Sequence, residues 1–118
     1  MITDFDKNIP IYLQIEEMIK LAIIKEEYKI GEKLPSVREY AVMLKINPNT
    51  INRALLELEE EGLILTQRTN GKYVTEDKKI IEKSKKEYIK KLKNEFISKM
   101  KDINVSKEEI LDLIKEGE

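Results

Sequence analysis

The sequence predicts a mainly α-helical fold carrying one small β-hairpin: a winged helix-turn-helix domain over residues 1–75, followed by a two-helix segment over residues 76–118. Three observations predict it. Ser36 and Glu39 stand in S-x-x-E spacing, in which a hydroxyl and a carboxylate each satisfy an orphan amide at a helix start. A few residues later Asn47-Pro48 opens another helix, because Asn is a favoured N-cap and Pro loses nothing at a first helical position whose N–H has no acceptor. Glu61-Gly62 then stops that helix, and two β-prone runs flank Asn70-Gly71, a strong hairpin-turn signal. So short a link between the two helices sets the second across the first, the arrangement that carries a recognition helix into a DNA major groove.

Taken in order, the first helix starts near Pro10, and Ile11, Ile15, Met18, Ile19, Ala22 and Ile23 recur at helical spacing as a face to be buried. Gly31, after Tyr28, breaks it. Val37, Tyr40, Ala41 and Leu44 supply the apolar side of the second helix, and Ile51, Leu55 and Leu58 that of the third. Gly62 is the left-handed stop, where lacking a Cβ costs least. Leu63-Ile-Leu-Thr-Gln and Lys72-Tyr-Val-Thr form the wing.

Beyond Thr75 the chain becomes Lys-rich, with a long helix from about Asp77 to Met100 and a shorter one from about Lys107 to Lys115. Asp102-Ile-Asn-Val divides them, and a second S-x-x-E box, Ser106 with Glu109, opens the shorter one. Ile81, Tyr88, Ile89, Leu92, Phe96 and Met100 fall on one stripe, while Ile110, Leu111, Leu113 and Ile114 crowd the short helix. A helix of this length runs roughly 35 Å, against a radius of gyration of about 11 Å for a 75-residue domain, so its stripe needs a partner.

Composition narrows the chemistry. With 118 residues, 41% hydrophobic and 38% charged, the chain is one small globular domain with an appendage. No apolar run approaches the roughly 20 residues that span a bilayer, and Met1-Ile-Thr-Asp-Phe-Asp-Lys lacks the basic start and apolar stretch of a signal peptide. A cytoplasmic protein with no membrane partner is expected. Having neither Cys nor His, the chain lacks disulfides, thiol nucleophiles, histidine acid–base chemistry and the usual zinc ligands. Its carboxylates come without a glycine-rich loop, a nucleophile–base pair or a metal-ligand cluster, so no catalytic residue, metal or cofactor is expected.

A net charge of −1 argues at first sight against a nucleic-acid partner, but the charge is sorted along the chain. From Tyr28 to Leu56, Lys29, Lys33, Arg38, Lys45 and Arg53 face only Glu32 and Glu39, a local balance of +3. Arg68 and Lys72 lie in the wing region without an acid between Gly62 and Thr75. Acids crowd the first helix (Glu16, Glu17, Glu26, Glu27) and the run from Glu57 to Glu61. Ordinary solvated faces of mixed sign are the competing reading.

These segments also carry a family resemblance. Ile9-Pro-Ile-Tyr-Leu-Gln-Ile resembles an opening P-I-Y-x-Q-I; Gly31 to Ala41 resembles G-x-x-L-P-S-x-R-x-L-A; and Asn47 to Gly62 resembles N-P-N-T-x-x-R-A-x-x-x-L-E-x-x-G. Residues 9–75 thus resemble the winged helix-turn-helix domain of the GntR family of bacterial transcription regulators, and the short remainder resembles the YtrA subfamily. Two departures stand out. Tyr40 replaces the usual Leu, and the wing reads Thr69-Asn-Gly-Lys-Tyr-Val where G-x-G-[TS]-F-V is common.

The resemblance implies contacts with double-stranded DNA. Pro48, Asn49, Thr50 and Asn52 would lie nearest the base edges, where an Asn amide pairs bidentately with adenine and the Thr50 methyl suits thymine. Asn47 reads as a cap or as a base reader. Ser36, Arg38, Arg53, Arg68, Asn70, Gly71 and Lys72 would hold the phosphate backbone. The alternatives are a salt bridge within the capping turn for Arg38 and an i,i+4 pair with Glu57 for Arg53. YtrA-like regulators are dimers held by two C-terminal helices, which assigns Ile81, Tyr88, Leu92, Phe96, Met100, Ile110, Leu111 and Ile114 to dimerisation.

The function so implied is that of a homodimeric repressor of a transporter-type operon, bound to a palindromic operator. A groove between the dimer's helices could hold a small-molecule effector of unknown identity, although Tyr88 and Phe96 read first as dimer core. The other reading is a winged-helix module that docks on protein through its third helix.

Overall fold

In a computed structural model, which describes residues 4–67 and 71–117, the order is α1 (Ile11–Ile24), α2 (Val37–Leu44), α3 (Pro48–Glu60), β1 (Ile64–Gln67), β2 (Gly71–Val74), α4 (Lys78–Asp102) and α5 (Lys107–Glu116). This is the mainly helical fold with one antiparallel hairpin that the sequence predicts. Contacts divide the chain into two compact units, one ending at Glu82 and the other beginning at Lys83.

In the first unit α3 is the central element: α1, α2 and β1 all pack on it. Ile15, Ile19 and Ile23 from α1, Tyr40 and Leu44 from α2, and Ile51, Ala54, Leu55 and Leu58 from α3 are essentially inaccessible, with Leu63, Ile64 and Val74 closing the wing side. The buried row of α1 is narrower than its sequence pattern. Met18 is half-buried and Ile11 is 39% exposed. A spacing of four residues drifts by about 40° per step, so Ile11 lies about 120° around the helix from Ile23.

Helix ends explain the turns. The capping box at Ser36 is complete: Glu39 N–H donates to Ser36 Oγ (3.0 Å), and Ser36 N–H donates to Glu39 Oε1 (2.9 Å). The Ser36 backbone amide, followed by its hydroxyl, holds the Glu39 carboxyl below the usual carboxylate range. Asn47 Oδ1 accepts from Asn49 N–H at 2.7 Å with Pro48 at the first helical position. At the other end of α3, Gly62 (φ +82°) closes a Schellman turn, Leu63 N–H reaching Leu58 O (3.0 Å) while both side chains enter the core.

Helix α1 stops earlier than the sequence reading places it. Its last residue is Ile24, and Glu26 takes the left-handed conformation (φ 64°) in a turn where Glu27 N–H donates to Ala22 O at 2.8 Å. Gly31 (φ +75°) instead starts a stretch that runs along β2: Val74 N–H donates to Glu32 O, Leu34 N–H donates to Lys72 O, and Lys33 bridges Tyr73. The two-stranded wing is thus flanked by a short irregular stretch bonded to the outer edge of β2. Tyr40 also has a structural account: fully buried, it donates its hydroxyl to that of Tyr28 (2.9 Å), and burial pushes its ionisation upward.

One acid of the sorted charge belongs inside. Glu16, on α1, is 9% exposed, and its Oε2 has no hydrogen-bond partner. Across from it stand Glu57 and Glu61, with Lys20 at 3.9 Å from Glu16 and 3.1 Å from Glu61. Burial first, then the two facing carboxylates, raise the Glu16 carboxyl from 4.5 to about 7, against the weaker pull of Lys20. A folded-state value above the unfolded one means the native protein holds the proton more tightly. Its stabilising contribution is thus complete below about pH 4.5 and is lost as pH rises through 7. Glu16→Gln should therefore match the wild type in urea unfolding at pH 4.5 and exceed it by roughly 1–3 kcal/mol at pH 8. An equal difference at both pH values would place the Glu16 charge in solvent.

The first unit extends past Thr75, since Ile80 and Ile81 pack against its core. Ile81, assigned above to the dimerisation stripe, is half-buried here against that core. In the second unit Ile110 is 4% exposed; the short helix carries apolar residues on more than one face, and this one turns inward. Leu92, Phe96, Leu111 and Ile114 are 45–64% exposed, while Tyr88 and Met100 are half-buried.

Candidate nucleic-acid interface

The buried face of α3 leaves its other face to solvent. Ile51, Ala54, Leu55 and Leu58 point inward, whereas Pro48, Asn49, Asn52 and Arg53 are exposed and Thr50 is half-buried. Asn47 is committed as the cap, its side-chain oxygen held by Asn49 N–H. The turn between α2 and α3 is three residues, Lys45 to Asn47, with Lys45 left-handed (φ 57°) and Ile46 N–H returning to Ala41 O at 3.1 Å. That turn fixes the crossing of the two helices.

Arg53 is held by a residue that the sequence reading did not single out for the interface. Its guanidinium lies over the Tyr12 ring, 3.7 Å from the centroid, while Glu57, one turn on, faces Glu16. Tyr12 orients the cation without neutralising it. The opening P-I-Y-x-Q-I segment now has a physical account. Tyr12 carries Arg53, Gln14 clamps the preceding segment through Asp6 N–H, Asp6 O and Ile9 O, and Ile15 enters the core.

At α2, Arg38 is exposed in the first turn, beside the Val37 and Arg38 amides that have no intrahelical acceptor. Ser36 is exposed, its Oγ accepting from Glu39 N–H and its hydroxyl turned to the Glu39 carboxyl within the capping box. On the wing, Gly71 is exposed with φ +94°. Lys72 turns inward: its ammonium donates to Glu59 Oε1 (3.1 Å) and to Thr66 Oγ1 (2.9 Å), and its side chain is 17% exposed. Arg68 and Asn70 lie outside the described residues.

A family model described as bacterial regulatory proteins, gntR family, matches residues 11–74. The chain belongs to the GntR family. The YtrA subfamily is supported by a Bacillus subtilis relative, the HTH-type transcriptional repressor YtrA, 49% identical over 59% of this chain and 54% of that protein. The B. subtilis HTH-type transcriptional regulator YhcF is 41% identical over 72% of this chain and 70% of its own length. Among solved structures, a GntR family transcriptional regulator from Listeria monocytogenes superposes with a TM-score of 0.87 at 46% identity, covering 97% of this chain and 100% of that one. GntR membership makes this a DNA-binding transcriptional regulator with repressors among its relatives.

Proposed function

We propose that this GntR regulator is a cytoplasmic homodimeric repressor that occludes a promoter by binding a palindromic operator, in control of a transporter-type operon. The observation that carries the reading is the first half of α3, which turns Asn49, Asn52 and Arg53 to solvent from a fully buried inner face. Asn49 and Asn52 read base edges, with Pro48 and Thr50 beside them; Arg38, Arg53, Ser36 and Gly71 hold the backbone. The exposed apolar residues of α4 and α5, Leu92, Phe96, Leu111 and Ile114, form the dimer contact with Tyr88 and Met100 at its margin. No helix among the described residues is long and apolar enough to cross a membrane, in keeping with a cytoplasmic site of action.

Selection of genomic fragments by the purified protein, followed by footprinting, tests the reading. Arg38→Ala should weaken operator and random DNA alike. Asn52→Ala should lose roughly 1–3 kcal/mol on the operator alone, the discrimination carried by one bidentate pair. Equal losses on both DNAs for Asn52→Ala would remove its assigned role. A dimer that neutralises about eight phosphates should show a log–log salt slope near −7, whereas docking on protein would depend weakly on salt.

A further inference from the structure

The wing owes its attachment to a polar triad as well as to the core. Side chains alternate along a strand, so Ile64 and Thr66 on β1 share a face with Val74 and Lys72 on β2, and the register pairs Ile64 with Val74 and Thr66 with Lys72. The first pair enters the core. The second lies further out, where a strand pair of four residues has little stability of its own. There Glu59, on α3, takes over. Its Oε1 accepts from Thr66 Oγ1 and from Lys72 Nζ (3.1 Å), and Lys72 Nζ also donates to Thr66 Oγ1 (2.9 Å), so each of the three side chains is bonded to the other two.

We infer that Glu59 and Lys72 are positioning residues that set the wing against the recognition helix for DNA binding, Lys72 acting through this brace rather than as a phosphate contact. The inference rests on the DNA-binding reading above. Three side chains from α3, β1 and β2 close on one point, and with Lys72 17% and Glu59 31% exposed the ion pair is partly shielded from water. Charge-assisted bonds in that setting are stronger than at an open surface. The Thr66 hydroxyl, followed by Lys72, holds the Glu59 carboxyl below the usual range, as a fully engaged acceptor requires.

The sign of one substitution separates positioning from simple charge. Removing an acid from a DNA-binding surface should by electrostatics alone tighten binding. A lost brace should weaken it. Full-length variants would be titrated with a fluorescent duplex carrying the sequence enriched by the wild type, and with random duplex of the same length. Thermal melts would confirm that each variant is folded. Glu59→Gln and Thr66→Val should each weaken operator binding roughly five- to tenfold, the net worth of one hydrogen bond, while Thr66→Ser, which keeps the hydroxyl, stays near the wild type. Lys72→Met should weaken binding without changing the salt slope.

Tighter or unchanged binding by Glu59→Gln would overturn the inference, and so would a salt slope reduced by about 1 in Lys72→Met, the mark of a lost phosphate contact. A wild-type protein that binds neither duplex would remove the DNA-binding reading itself. Wild-type binding with unaffected variants would remove only the brace.

Discussion

Cutting the chain after Glu82 should leave a folded monomer whose operator affinity is lower by about 100-fold or more. The proposed operator contacts all lie in the first unit, so each half-site can still be engaged. What the cut removes is the remainder of α4 and all of α5, with Leu92, Phe96, Leu111 and Ile114 exposed along them. A dimer binds its second half-site at the effective concentration set by the first, and that linkage is worth roughly 10²- to 10⁴-fold. Sedimentation and a titration of the operator duplex give both halves of the answer. A truncated protein that remained dimeric would place the interface in the first unit. The position of the cut matters, because ending at Thr75 would also strip Ile80 and Ile81 from the core they pack against.

Leu55→Ala should cost about 3 kcal/mol of stability, within the 2–5 kcal/mol measured when a buried Leu is truncated and its cavity only partly collapses. Leu55 is fully buried on α3, the helix on which α1, α2 and β1 all pack, so no neighbouring layer can close over the gap without moving another. Asn52 and Arg53, a turn or less away, face outward. Well below its lowered melting temperature the variant should therefore still bind DNA, with the loss appearing as a reduced urea midpoint. An unchanged midpoint would mean that α3 is not the centre of the core.

Local signals were strong in this chain because each lies within a few residues. The capping boxes at Ser36 and Ser106, the Asn47-Pro48 start, the Gly62 stop and the hairpin could be read directly, and the structure forms each of those helix ends. Residues 9–75 were enough to suggest the GntR family. By contrast, the stop of α1 at Ile24 was not legible, since a Glu in the left-handed conformation at position 26 has no compositional signature. Nor was the pairing of the Gly31–Leu34 stretch with β2, which lacks any alternating pattern.

The sequence by itself determined the order of the elements, the caps that begin and end most of them, and the outward set of α3, because helix periodicity and capping chemistry act between near neighbours. Only the tertiary structure decided the partners of the charged side chains. It placed Arg53 on Tyr12, buried Glu16 against Glu57, and turned Lys72 from the wing's outer surface to Glu59 and Thr66. It likewise set Ile81, half-buried, against the first unit's core and turned Ile110 inward. These outcomes depend on residues distant in the chain arriving at one point in space, and a charge or an apolar side chain in a sequence does not record which neighbour folding will bring to it.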